Sequence, residues 1–208
     1  MITKRDKQII KFAEKYGSIT INQCATVFFN GNKEAYDQAR KRLRIIYDEG
    51  LLKRYRKDPR SEAVYFIDKA LKVHDLKLMD VFCKLYKFEM PVFQKESKFI
   101  IDDETTYIVD AAISINIDNR MLPLVVEIDY THYTGMGKIK TLVADLESGH
   151  DIPFVFIIVK LAQQDLEIIN IGVKSKLYIL PWNLDKLDSV VIPLLIKLAL
   201  CSGAAIKS

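Results

Sequence analysis

Residues 106–129 read TYIVDAAISINIDNRMLPLVVEID. Two aliphatic and β-branched runs, Thr106–Ile117 and Met121–Asp129, flank Asp118-Asn119-Arg120, the pattern of two strands joined by a tight turn. Three acids interrupt the apolar runs: Asp110 in the first, Glu127 and Asp129 in the second. A period of two puts Glu127 and Asp129 on one face. A two-residue turn at Asp118-Asn119 pairs residues whose numbers sum to 237 and sets Asp110 opposite Glu127, whereas a four-residue loop gives 239 and sets Asp110 opposite Asp129. Either register brings two carboxylates together. Opposed like charges destabilise a sheet, and a half-buried pair raises one pKa unless something compensates. A divalent metal, a lysine or a helix N-terminus would do so, and Lys138 and Lys140 open the next helical segment. A solvated strand face, or a structural ion pair with one of these lysines, is the competing reading.

Outward from the hairpin the β-rich character continues. Ser97–Ile101 reads as a short strand, Asp102-Asp103-Glu104 as a polar turn, and Gly137–Glu147 as a helix facing inward through Ile139, Leu142, Val143 and Leu146. The unbroken apolar run Phe154–Lys160 suits a strand buried on both faces. Lys174–Leu180 reads as a last strand and Asp185–Leu200 as a closing helix. Strands with helices between and after them imply an α/β sandwich with a mixed sheet. The apolar end, Val190–Leu200, carries Pro193 and Lys197 and falls short of the roughly 20 residues that span a bilayer, so no membrane partner is expected. Nor does an apolar run follow Met1–Gln8 as a targeting segment requires.

The N-terminal third has a different texture. Thr3 with Asp6 three residues on marks a helix start, and Gly17 its end. Ser18–Thr20 is β-prone, Ile21–Phe29 a second short helix stopped by Asn30-Gly31-Asn32, and Lys33–Glu49 a third closed by Gly50. On the third helix Tyr36, Ala39, Leu43 and Ile46 recur at helical spacing as a buried stripe, with Gln38, Lys41, Arg42 and Ile45 opposite and Arg40 and Arg44 on the flanks. Leu51–Arg56 and Glu62–Ile67 form a hairpin around a Pro59-containing turn. Three helices followed by a hairpin describe a winged helix, whose third helix enters the DNA major groove while the wing touches the flanking backbone.

Charge falls where such docking needs it. Residues 1–72 hold 17 Lys/Arg against 9 Asp/Glu, and residues 73–208 hold 14 against 18, so the net +4 of the chain is a sum of opposites. Arg40, Lys41, Arg42, Arg44, Lys53, Arg54, Arg56, Lys57 and Arg60 crowd onto the third helix and the wing. Cations of this kind bind phosphates independently of sequence, while Gln38, Arg40 and Lys41 are candidates to read base edges. A solvated helix face, or a winged helix that contacts protein, is the alternative.

Over 208 residues, 50% are hydrophobic and 28% charged, with Gly 8 and Pro 6, which excludes disordered and low-complexity chains. Cys24, Cys83 and Cys201 lie far apart in apolar surroundings and match neither a disulfide framework nor a zinc spacing, as expected of a cytoplasmic protein. Ala70–Tyr86 is apolar over most of its circumference and is expected as a helix packed between two modules. The expected organisation is a winged-helix DNA-binding domain (1–69), a linker helix (70–90) and an α/β domain (91–208).

The order winged helix, KVHDLKLMDVFCKLY, IVDAAISI, LVVEIDYTH and GKIKTL resembles the replication-relaxation family of plasmid and mobile-element proteins. That resemblance implies an N-terminal winged helix joined to a domain like the PD-(D/E)XK nuclease fold. His74 and Asp75 match the family's linker-helix signature, and Asp110 the acid of its Pro-Asp strand, with Val109 where proline is expected. Glu127 and Asp129 match its Glu-x-Asp strand, Thr131 the threonine that follows, Lys138 or else Lys140 its helix lysine, and Glu96 the acid before the sheet. A working PD-(D/E)XK site needs a lysine two residues after the second acid, where this chain has Asp129.

The resulting expectation is a homodimeric protein that binds double-stranded DNA, with replication or relaxase proteins as further partners. Its role would lie in replication, DNA relaxation or transfer control of a plasmid or mobile element. The alternatives are a Mg²⁺- or Mn²⁺-dependent nickase or endonuclease using Asp110, Glu127, Asp129 and Lys138, with the three acids holding metal, and a transcriptional regulator with a degenerate nuclease-like domain.

Overall fold

The computed structural model describes residues 1–102 and 105–201. Asp103 and Glu104, of the expected polar turn, lie outside the described residues. The chain is mixed α/β and divides into two compact units, Met1–Cys83 and Lys84–Ser208. The division falls inside the helix expected as a linker.

In the first unit the order is α1 (Lys4–Tyr16), β1 (Ser18–Thr20), α2 (Ile21–Phe28), α3 (Ala35–Asp48), β2 (Lys53–Tyr55) and β3 (Val64–Phe66), with α4 (Val73–Leu85) contributing all but its last two residues. The strands form an antiparallel sheet in the order β1-β3-β2. Capping boxes start α1 and α2: Thr3 with Asp6, and Thr20 with Gln23, each satisfy two otherwise orphaned amides. Gln23 is buried yet fully employed, because its Nε2 donates to Leu76 O at 3.1 Å and to Asp80 Oδ1 at 2.8 Å. Phe12 and Tyr16 of α1 meet Phe82 of α4 at ring distances of 6.5 and 5.0 Å, so α4 packs on the first unit. Gly17 ends α1 at φ +90°, and a Cβ there would press Leu71 Cδ2 at 3.2 Å, so both backbone and space select glycine.

The tie between α1 and α3 is ionic. Asp6 is 0% exposed; its Oδ2 accepts from Thr3 N and Thr3 Oγ1 at 2.6 and 2.7 Å, and its Oδ1 accepts from Arg42 Nε at 2.8 Å. Arg42 Nη2 closes the fork on Oδ2. Burial pushes the Asp6 carboxyl up, but the guanidinium and the Thr3 hydrogen bonds outweigh it and hold its pKa at about 2. Arg42 is therefore not on the outer face of α3 as its spacing suggested. Tyr36 departs in the other direction: it is 46% exposed, and only Ala39, Leu43 and Ile46 of the expected stripe are buried.

The second unit is built on a six-stranded sheet in the order β4-β5-β6-β7-β9-β8. Its strands are β4 (Glu89–Ile100), β5 (Thr106–Ile117), β6 (Arg120–Asp129), β7 (Val155–Lys160), β8 (Glu167–Asn170) and β9 (Lys176–Pro181). β4, β5 and β6 make an antiparallel meander; β6, β7 and β9 run parallel; β8 closes one edge antiparallel. Helix α5 (Met136–Gly149) crosses from β6 to β7 and buries Ile139, Leu142, Val143 and Leu146 with Val125, Phe156, Ile158, Leu177 and Ile179. A π-helical turn, Leu187–Val191, leads without a break into α6 (Ile192–Cys201), with Pro193 at its second residue. Arg120 donates to Ala199 O and Leu200 O, a cation on the C-terminal carbonyls of α6.

Four expectations change. The strand expected at Ser97–Ile101 begins eight residues earlier, and β8 adds a mostly exposed edge strand where the sequence reading placed no element. Cys201 is exposed rather than set in apolar surroundings, while Cys24 and Cys83 are buried. The helix expected over 70–86 spans Val73–Leu85, mostly within the first unit.

Breaking a buried ion pair by removing one partner costs about 3–5 kcal/mol, so Arg42→Ala should lower the unfolding free energy by about 3 kcal/mol in urea titration. Asp6 has a depressed folded pKa, so the stability it contributes is full above its unfolded value of 3.8 and is lost as pH falls toward about 2. Wild type should lose stability across that window and Asp6→Asn should not; parallel acid titrations of the two proteins would contradict the assignment.

Candidate functional site

Two groups of side chains, one in each unit, carry chemistry. The first is the cation set of α3 and the β2–β3 hairpin. Arg40 Nη2 lies 3.2 Å from Asp37 Oδ1 and Arg44 Nε 3.6 Å from Asp48 Oδ2, both pairs exposed along one helix. Such pairs are worth well under about 1 kcal/mol and yield readily to a stronger anion. Arg54 lies over the Tyr47 ring at 4.7 Å, which props its guanidinium against α3. Among the described residues Lys41, Lys53, Arg56, Lys57 and Arg60 make no ion pair. The hairpin tip is ordered by Asp58, whose carboxylate accepts from Arg60 N and Ser61 N, both at 2.8 Å, and is held below the usual carboxylate range chiefly by Ser61. Gln38 is half-buried and lines an open cleft of about 650 Å³ with Arg5, Phe29, Asn30, Asn32 and Lys33.

Of the ten DNA-contact candidates, nine cations and Gln38, Arg42 is withdrawn into the Asp6 pair and the other nine residues sit on α3 or the hairpin segment. Asp6 was legible as a cap residue, but its pairing 36 positions away was not.

The second group surrounds the β5–β6 hairpin. Asp118 and Asn119 adopt φ +49° and +61°, the two left-handed residues of a type I′ turn. Pairing partners sum to 237, as in Ala111↔Val126, and the ladder ends there. Beyond it the two carboxylates take over the bonding. Ile128 N donates to Asp110 Oδ2 at 2.7 Å and Asp110 N donates to Glu127 Oε2 at 3.3 Å, so each acid accepts an amide of the opposing strand. Lys138, in the first turn of α5, donates from Nζ to Glu127 Oε1 at 2.6 Å and to Ile108 O at 2.8 Å. Burial pushes the Glu127 carboxyl up; Lys138 opposes this and the Asp110 charge adds to it.

Asp129 does not join them. It is 2% exposed, and its Oδ1 accepts from Thr134 N at 3.0 Å and Thr134 Oγ1 at 2.7 Å, while its Oδ2 is buried without a donor. Thr134 carries no signal in sequence that would single it out. Among the described residues no three His, Cys, Asp or Glu side chains form a group that could hold a metal; Lys138 pairs with Glu127, and Asp129 bonds to Thr134 of its own loop. The crevice against Glu127, Lys138 and Phe156 holds about 10 Å³, room for a single water at most. The geometry supplies a charge-balanced brace at the end of a hairpin.

No family model matches the chain, and no curated protein matches its sequence.

Lys138→Met should leave Glu127 as an unbalanced buried carboxyl and push its pKa higher. A carboxyl whose folded pKa is raised loses stability as pH climbs from its unfolded value, 4.5, through the folded one. The variant's deficit against wild type in urea unfolding should therefore be about 2 kcal/mol at neutral pH and shrink toward about pH 4. A deficit that is absent, or constant with pH, would contradict the pairing.

Proposed function

We propose that the chain binds double-stranded DNA through its first unit, acting as a winged helix in which α3 is the recognition helix and the β2–β3 hairpin the wing. The observation that carries this reading is the sorting of cations on that unit. The one arginine used internally is withdrawn to Asp6, while Lys41, Lys53, Arg56, Lys57 and Arg60, free of carboxylate partners among the described residues, lie on the helix and hairpin that such docking would use. Unpaired surface cations concentrated on two adjoining elements favour a polyanion. Exposed Arg40 and Lys41 and half-buried Gln38 are the base-reading candidates. The similarity to replication-relaxation proteins supports the same reading.

The second unit has the element order helix, three-stranded meander, crossover helix, parallel strand, and we propose that it is a nuclease-like domain without hydrolytic activity. The commitment of Lys138 to Glu127 and the small volume of the adjoining crevice support this part. Nicking of supercoiled plasmid with Mg²⁺ or Mn²⁺ that disappears in Glu127→Ala would overturn this part of the proposal and leave the DNA-binding part standing.

Duplex affinity measured by fluorescence anisotropy across a salt series tests the main reading. Each lost phosphate contact should flatten the slope of log K against log salt by about 0.9. Combined Lys53→Ala, Arg56→Ala and Lys57→Ala should weaken binding about tenfold or more and flatten the slope by about 2–3, with unfolding stability unchanged. Wild-type affinity and slope in this variant would remove the wing from the interface.

A further inference from the structure

The three parallel strands of the second unit end side by side, with Asp129, Lys160 and Pro181 in register across β6, β7 and β9. Crevices outside the carboxyl ends of parallel strands are where open α/β sheets take ligands. The residues that follow β6 and β9 are Tyr130 and Trp182, and although β7 separates their strands, their rings meet at 5.5 Å and 32°. The pair arches past the end of β7, where Leu161 is 53% exposed. Tyr130 is 42% exposed, and Tyr133, farther along the same loop, 78%. The loop is held from beneath, because Thr134 N and Oγ1 donate to buried Asp129. The register neighbour of Asp129 on β7, half-buried Lys160, makes no ion pair among the described residues.

Exposed Tyr130 on a braced loop, in ring contact with half-buried Trp182, and a lysine without an ion pair among the described residues at the end of the strand between them, have the makings of a nucleobase stacking platform with a phosphate contact. We infer that the Tyr130–Trp182 pair and Lys160 bind single-stranded nucleic acid, bases stacking on the rings and a backbone phosphate meeting Lys160. A peptide occupant is disfavoured, since the uncompensated charge calls for an anion and the flat ring faces suit bases. This site is separate from the proposed duplex-binding face and does not depend on that proposal. It uses one phosphate contact, so its salt dependence is shallow, with a slope near −0.7 for a single strand, where the wing's would be steep.

Trp182 is the one tryptophan of the chain, so its emission reports the site directly. Titration of the full chain with a short oligothymidylate should quench and shift Trp182 emission, saturably and with little sensitivity to salt. Tyr130→Ala should weaken that binding roughly tenfold, since stacking is worth about 1–3 kcal/mol per base, and Lys160→Ala should weaken it and flatten the remaining salt slope. Both residues lie at strand ends, and unchanged thermal unfolding of the variants would show that they fold. The Lys53, Arg56 and Lys57 triple alanine variant should keep the quench in full while losing duplex affinity. Emission unchanged at high oligothymidylate, or a quench that survives in both Tyr130→Ala and Lys160→Ala, would overturn the inference. A quench lost only in the wing variant would also overturn it, by assigning the effect to the first unit.

Discussion

The second unit depends on a two-residue turn. Asp118 and Asn119 both take left-handed backbone, which non-glycine residues tolerate best when they are Asn or Asp. The turn fixes the β5–β6 register to the residue, and a slip of one would send every core side chain of the hairpin to the wrong face. The cost of that register is two acids at the open end of the hairpin. It is offset locally: each carboxylate accepts an amide from the other strand, and Lys138 arrives on the next helix to balance Glu127. Lys138 thus links the start of α5 to the end of the hairpin through one ion pair.

Charge is divided with similar economy in the first unit. Asp6 serves the N-terminus of α1 and the guanidinium of Arg42 at once, so one buried carboxylate caps a helix and ties it to another. With the internal requirement met by a single arginine, the remaining cations of α3 and the hairpin face outward or pair with exposed acids of their own helix. This division leaves the outward cations of the segment available for the proposed duplex contact.

Much of this architecture was legible in sequence because it rests on local rules. The capping box at Thr3, the glycine stops at Gly17 and Gly50 and the inward stripe of α5 follow from residues a few positions apart, and the Asp118-Asn119 turn narrows the hairpin to two registers, of which the structure takes the one summing to 237. Long-range partners were not legible. Helical spacing places Arg42 beside Lys41 on an outer face, and nothing short of the tertiary fold reveals that Asp6 claims it. Periodicity likewise puts Asp129 on one face with Glu127 but does not show that its partner is Thr134, five residues on. Tyr36 read as core because spacing marks a stripe without marking where the helix leaves the body of the protein. At the candidate sites the residue types were therefore visible and their alliances were not. The Tyr130–Trp182 pair, joined across an intervening strand, is the extreme case.

The central claim is that α3 and the β2–β3 hairpin form the face that meets duplex DNA. Backbone amide exchange of the full chain, with and without a saturating duplex, addresses it residue by residue. The account predicts new protection concentrated in residues 36–45 and 53–61, with β5, β6 and α5 unchanged. Protection confined to the second unit, or none in those two segments despite saturation, would contradict it.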